Sequence, residues 1–108
     1  MFKVNNNANV CGTSLKGYIT TSYTKLVQLF GEPVESDGYK VSGEWLFEDN
    51  KGNVFTIYDW KATALYDSGY NPTVEEFRQL PSYEFHIGGN NGSYGDFLQW
   101  LESELSLL

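Results

Sequence analysis

The chain has 108 residues and carries 14 Asp and Glu against 7 Lys and Arg, which gives a formal net charge of −7. This length suits a single domain over residues 1–108. An acidic protein repels phosphate backbones, so we expect no direct binding of DNA or RNA. Cys11 and His86 are the only cysteine and histidine, which excludes an internal disulfide and the usual zinc ligand sets. We expect neither a metal nor a cofactor.

The composition also bears on where the protein acts. The N-terminal residues lack the apolar run of a secretory signal, and no segment is long and apolar enough to cross a membrane. A single free thiol suits a reducing compartment. We therefore expect a cytoplasmic protein that does not bind a membrane.

The first half of the chain predicts a strand, a helix and a hairpin. Residues 14–20 alternate as a strand, and residues 20–22 supply N-cap chemistry for a helix over residues 23–30, which Gly31 ends. A loop follows over residues 35–39. Residues 44–48 and 54–60 are rich in aromatic and β-branched residues, and turn residues separate them, so they predict a β-hairpin.

The second half is less regular before its final strand and helix. Residues 62–81 read mainly as a loop, with a short helix predicted over residues 74–80. Residues 83–87 predict another strand, which the glycines and asparagines of residues 88–92 end. A last helix begins near Ser93, because apolar residues then recur at a spacing of three and four.

These elements predict an α+β fold in which an antiparallel sheet of about four strands carries two helices on one face. Strand alternation sorts the side chains between the two faces of the sheet. The helix-covered face should carry Leu15, Gly17, Ile19, Trp45, Phe47, Phe55, Ile57, Phe85 and Ile87. The other face should carry Lys16, Tyr18, Glu44, Leu46, Glu48, Thr56, Tyr58, Trp60, Glu84 and His86.

The second face has the composition of a protein interface, because aromatic residues stand there beside charged ones. An alternative is that the loop over residues 62–81 folds across this face and covers it. Trp100 lies off the apolar stripe of the last helix, where it is a dimer contact, a second packing surface or simply exposed. The residues predicted to bind a partner are Tyr18, Glu44, Leu46, Tyr58, Trp60, Glu84 and Trp100.

A second set of residues suggests a small-molecule site. Two glycines after the last strand could expose backbone N–H groups to an anion, and a lysine and two hydroxyls could assist. A structural turn is the simpler interpretation of the glycines. The predicted ligand-binding residues are Thr13, Ser14, Lys61, His86, Gly88 and Gly89. A third hypothesis is a hydrolase in which His86 acts with a carboxylate on the same face, such as Glu84.

Four segments, in this order and spacing, resemble a family of small proteins encoded by tailed bacteriophages. They are Gly12-Thr13-Ser14-Leu15-Lys16-Gly17-Tyr18, Leu29-Phe30-Gly31-Glu32-Pro33, Gly43-Glu44-Trp45 running to Thr56-Ile57-Tyr58-Asp59-Trp60-Lys61, and Phe85-His86-Ile87-Gly88-Gly89. Members of that family commonly show a Trp where this chain has Phe85, and the loop between Lys61 and Ser82 is longer here. The family supplies no catalytic residues to carry over.

The resemblance implies a phage protein that acts in the cytoplasm of an infected bacterium. Together with the charge and the aromatic face, it predicts a non-enzymatic accessory protein. We expect that protein to bind a host or phage protein and to antagonise a bacterial defence system. Binding or sequestration of a nucleotide-like ligand and a His86-dependent hydrolase are the alternatives. A homodimer through the aromatic face or through Trp100 is also left open.

Overall fold

The computed structural model describes residues 2–35, 38–90 and 92–108. The predicted loop over residues 35–39 and the predicted turn over residues 88–92 each include positions outside this part of the chain. The elements, in chain order, are β1 (Lys3–Val4), β2 (Ser14–Thr21), α1 (Tyr23–Phe30), β3 (Glu44–Glu48), β4 (Val54–Tyr58), α2 (Val74–Arg78), β5 (Tyr83–Gly89) and α3 (Tyr94–Leu105).

The strands form one antiparallel sheet in the order β1-β3-β4-β5-β2. The predicted α+β class is confirmed, with five strands instead of about four and three helices instead of two among the described residues. The hairpin of β3 and β4 is also confirmed. Strand β1 was not predicted because a strand of two residues is too short to show alternation.

The helices begin and end where capping chemistry places them. Ser22 accepts a hydrogen bond from the N–H of Lys25 at the start of α1, and Gly31 ends that helix with a φ of 83°. Ser93 caps α3 in the same way by accepting from the N–H of Asp96. Thr73 and Glu76 form a reciprocal capping box that starts the five-residue α2.

All three helices contribute side chains to one apolar core on one face of the sheet. The core is aromatic: Phe55 on the central strand β4 stacks on Phe97 of α3, with ring centroids 4.6 Å apart and planes at 3°. Burying each side chain of this size stabilises the fold by roughly 1.5–3 kcal/mol. The buried cluster comprises Leu26, Trp45, Phe47, Phe55, Ile57, Phe77, Phe85, Ile87, Phe97 and Leu101.

Strand alternation predicted this face correctly except at Leu15 and Lys16. Lys16 was expected on the other face, but its Cγ would lie 3.4 Å from a Cβ on Gly89, which faces the helix-side core. The pairing of β2 with β5 shifts between Leu15 and Gly17, so a β-bulge lies there. Leu15 consequently pairs with Gly88, in the same row as Thr56, on the face without helices. Its side chain is 49% exposed there. The prediction that Leu15 points into the helix-covered core was wrong because a bulge inverts the alternation for the residues before it.

A buried carboxylate ties the segment before β3 to the end of β4. Asp59 is 2% exposed and accepts hydrogen bonds from the backbone N–H groups of Ser42 at 3.0 Å and Gly43 at 3.2 Å. Burial raises the pKa of the Asp59 carboxyl above its usual value of 3.8, and the N–H donors of Ser42 and Gly43 oppose part of that rise.

We predict that Gly89→Ala destabilises the fold. A Cβ at Gly89 would lie 2.9 Å from the ring of Phe55, which is fully buried and held by its stack on Phe97. Overpacking of this kind costs about 1–3 kcal/mol of unfolding free energy, measured by urea denaturation. Gly95→Ala is the matched control: α3 has open space at Gly95, so that alanine should leave stability unchanged or raise it. Equal stability of the two variants would contradict the prediction.

A second prediction concerns the pH dependence contributed by Asp59. Because its pKa is higher in the folded protein than in the unfolded chain, the folded protein holds the proton more tightly. The resulting stabilisation is fully present below the unfolded pKa and is lost as the pH rises through the folded pKa. Asp59→Asn keeps an oxygen acceptor but does not ionise. The unfolding free energy of the wild type minus that of the variant should therefore fall as the pH rises above about 4, the unfolded pKa, and through the higher folded pKa. A difference that grows with pH would contradict this.

Candidate functional site

The face of the sheet opposite the helices, the open face, carries one row of side chains across four strands. The register aligns Glu44, Tyr58, His86 and Tyr18 from β3 to β2. Three of these four side chains are rings. A row of this kind is rigid because each ring is fixed to a hydrogen-bonded strand.

The N-terminal segment covers part of the open face. Since β1 and β2 lie at opposite edges of the sheet, the connection between them has to cross it. It crosses the open face, because Val10 and Thr13 line a cleft there together with Thr56. Leu46 and Thr56 are only 5% and 3% exposed. The prediction that Leu46 contacts a partner was therefore wrong, because the chain itself buries this side chain.

The loop over residues 62–81 does not take that position. Its anchor is Phe77, whose ring lies 4.9 Å from that of Tyr83 and 6.0 Å from that of Phe85, within the helix-side core. Ala62 also packs against that core. The loop thus docks mainly on the helix side, and Tyr18 and Trp60 stay 46% and 41% exposed.

Four rings meet on the uncovered part of the open face, and we call Tyr18, Tyr58, Trp60 and His86 the aromatic patch. The His86 imidazole is its centre: its centroid lies 5.0 Å from the ring of Tyr18, 5.5 Å from Tyr58 and 6.4 Å from Trp60. Glu84, one of the predicted partner contacts, is exposed on β5 two residues before His86.

Two lysines flank the Trp60 side of the patch. The ammonium groups of Lys40 and Lys61 lie 5.8 Å and 5.6 Å from the Trp60 ring centroid, and that of Lys61 also lies 5.1 Å from the ring of Tyr66. Lys61 is thus engaged by aromatic rings. It does not line the cleft described next.

A cleft of about 350 Å³ lies between the aromatic patch and the N-terminal crossing segment. Glu44 is its one charged residue, and Trp60 and Tyr58 form an aromatic side. Gly88 lies on its sheet-facing side, where a Cβ would meet the hydroxyl of Thr56 at 2.6 Å. The cleft is lined by Val10, Thr13, Ser14, Leu15, Val41, Glu44, Thr56, Tyr58, Trp60 and Gly88.

The structure divides the predicted ligand-binding set. Thr13, Ser14 and Gly88 line the cleft, whereas Lys61 and His86 do not. Gly89 lies in the row of Phe55, against the helix-side core. With a carboxylate and no basic side chain in its lining, this cleft does not suit a phosphate. The expectation that the six residues meet in one anion site was therefore wrong.

His86 lacks the environment of a general base. Its Nδ1 atom is buried without a hydrogen-bond partner, and Glu84 and Asp59 act on the imidazole only through their charges. Burial lowers the pKa of His86 below its usual value of 6.5, while the two carboxylates oppose part of that effect. The ring is therefore neutral near pH 7, and among the described residues no carboxylate accepts a hydrogen bond from it, as one does in a catalytic triad.

Trp100 lies on the other side of the sheet from the patch. Its ring packs 5.4 Å from Phe2, 5.7 Å from Phe30 and 5.8 Å from Phe97, so it forms a second packing surface of α3. This was one of the alternatives for Trp100, and it separates that residue from the other predicted partner contacts. The described residues contain no cluster that could hold a metal ion and no helix that could cross a membrane.

Sequence reasoning missed three apolar walls of the cleft, namely Val10, Leu15 and Val41. Leu15 was misplaced by the bulge. Val10 and Val41 lie in irregular segments, where alternation carries no signal and only the crossing path of the chain defines the neighbours.

Two comparisons with known proteins were negative. A scan against protein-family models gives no match, and a search of curated proteins gives none. The resemblance to tailed-phage proteins therefore stays a prediction from the four sequence segments.

Proposed function

We propose that this chain is a non-catalytic binding protein that docks a host or phage protein on its open face. The observation that carries the proposal is the aromatic patch, in which Tyr18 on β2 and Trp60 just beyond β4 are 46% and 41% exposed. Tyr and Trp are the residues that most often dominate binding energy at protein interfaces. Little ordering entropy is lost on binding because Tyr18 lies on a paired strand and the Trp60 ring packs near those of Tyr58 and His86.

The charge distribution favours a basic partner. The chain carries a net charge of −7, and Glu44 and Glu84 lie beside the aromatic patch. Lys40 and Lys61 at Trp60 give one border a local positive charge, which would orient a docked partner. A protein that uses a basic groove fits this surface, and antagonism of a bacterial defence protein in an infected cell is the role we propose for it.

A small ligand in the cleft is the second candidate. Its volume of about 350 Å³ lies at the lower end of the usual range for ligand pockets, roughly 300–1,000 Å³. Because Glu44 is the one charged lining residue, the chemistry favours a neutral or cationic ligand over a nucleotide. A thermal-shift screen with neutral and cationic compounds and with nucleotides tests this preference, since a compound that binds the folded protein raises its melting temperature.

The third expectation, a hydrolase dependent on His86, receives no support from the geometry. Its Nδ1 lacks a partner, and its ring packs among aromatic side chains. We assign His86 a structural place at the centre of the aromatic patch.

We predict that two patch substitutions weaken partner binding. Four proteins are immobilised and exposed to a lysate of infected cells: the wild type, Tyr18→Ala, Trp60→Ala and Tyr70→Ala. Tyr70 is the matched control because its side chain is 92% exposed outside the patch. The captured protein is then purified and its affinity measured by calorimetry. Tyr18→Ala and Trp60→Ala should each weaken binding by about tenfold or more, and Tyr70→Ala should not.

Circular dichroism checks that each variant keeps the wild-type fold. A partner that binds all four proteins equally would show that the aromatic patch is not the docking surface. Failure of the wild type to retain any protein would count against the proposed function itself.

We further predict that the His86 imidazole titrates below pH 6.5. Burial disfavours the charged ring, so the chemical shift of its Cε1 proton in NMR spectra should change at a lower pH than in a free peptide. Tyr18→Ala removes one covering ring and should move the midpoint back toward the usual value. A wild-type midpoint above 6.5 would indicate a carboxylate partner and would revive the acid–base hypothesis.

A further inference from the structure

The two edges of the sheet differ in whether their outward backbone groups are hydrogen-bonded. The outer edge of β3 is covered along its length: β1 pairs with Phe47 and Glu48, the N–H of Asn5 donates to Leu46, and Val34 exchanges two hydrogen bonds of 2.9 Å with Glu44. The outer edge of β2 runs for eight residues, and no described residue hydrogen-bonds to its outward backbone groups. This edge is therefore able to accept another strand.

The sequence of β2 protects only half of that edge. Lys16 and the bulge between Leu15 and Gly17 are features that disfavour pairing of another strand with this edge. The second half, Tyr18-Ile19-Thr20-Thr21, contains aromatic and β-branched residues without charge, proline or bulge. This half has the composition that favours strand pairing.

Charge is distributed so that a second copy can approach this edge. All 14 carboxylate side chains lie at or after Glu32, while residues 1–31 carry Lys3, Lys16 and Lys25. The net charge of −7 is thus the sum of +3 over residues 1–31 and −10 over residues 32–108. The strand β2 and the helix α1 that follows it are free of carboxylates. Two acidic copies consequently repel each other least across this edge.

We propose that two copies of the chain pair antiparallel through β2 to form a continuous ten-stranded sheet. Residues that face each other across an antiparallel pair share one face of the sheet, so the two-fold axis stands perpendicular to the sheet and passes at Tyr18 or Ile19. In either register the two Lys16 residues lie about 14 Å or more apart along the strands, beyond the screening length of about 10 Å. No like charges oppose each other in the interface.

This symmetry has a consequence for the aromatic patch. A perpendicular two-fold axis places both open faces on the same side of the joined sheet. Tyr18 is on the edge strand and belongs to the patch, so the two patches meet at the axis and form one surface. The dimer itself does not depend on the proposed function, but it would double the docking surface that the proposed function uses.

The test is a measurement of mass against protein concentration by sedimentation equilibrium. The key variant is Thr20→Lys, because Thr20 is exposed and pairs with Glu84 of the neighbouring strand. A lysine there gains an opposite charge within its own chain, so the fold is retained. In the dimer it faces either Lys16 or Tyr18 of the second copy, which places a charge in the interface. We expect a wild-type dimer whose dissociation constant rises about tenfold or more in Thr20→Lys.

Gln99→Lys adds the same charge at an exposed site on α3 and should leave the dimer unchanged. A wild-type protein that is monomeric at every concentration would overturn the proposal, and so would a dimer that Thr20→Lys leaves intact. Trp60→Ala separates the two proposals, because it should remain dimeric while losing the partner. Loss of dimerisation with binding retained in Thr20→Lys would show that the docking surface works in a single copy.

Discussion

The stacking of Phe55 on Phe97 is the contact on which the arrangement of the molecule depends. It joins the central strand β4 to the longest helix, and it is possible because Gly89 on the neighbouring strand leaves room for the Phe55 ring. With α3 fixed there, α1 and α2 complete the same core through Leu26 and Phe77. The apolar surface that drives folding is consequently concentrated on one face of the sheet.

The open face follows from that concentration. A sheet with all its helices on one side leaves the other to loops or to solvent, and here the N-terminal crossing segment and Val41 cover part of it. Leu46 and Thr56 are buried on this face, whereas Tyr18 and Trp60 stay partly exposed. The boundary between the covered and uncovered parts is the cleft, so the fold itself places a concave site beside a flat aromatic one.

Alternation and capping were sufficient to predict most of the fold. Trp45, Phe47, Phe55 and Ile57 alternate without interruption, and Ser22 and Gly31 bound α1, so these elements follow from local chemistry. The errors share a different cause. Leu15 and Leu46 depend on a bulge and on a crossing segment, which are set by the order of the strands and not by any one strand. Alternation within single strands does not reveal the order of the strands in the sheet.

The candidate site was predicted only in part for the same reason. The row of Tyr18, Tyr58 and His86 could be foreseen because strand parity fixes which face each ring occupies. The ligand set failed because its members lie on different faces and segments: Gly89 faces the core, and Lys61 is held over aromatic rings. Alternation along a strand predicts the face on which a residue lies, but it does not predict which distant segments lie close together.

The environment of His86 bears on the proposed binding role. Catalysis by His86 would need a carboxylate to orient the ring and a pKa near the working pH, whereas burial among aromatic rings lowers its pKa and leaves Nδ1 unpartnered. The same burial makes the imidazole a neutral packing element that holds Tyr18 and Tyr58 in place. The features that weaken His86 as a catalyst are therefore the ones that give the aromatic patch a fixed shape, and a fixed, partly exposed aromatic surface is what a protein partner binds with the least loss of entropy.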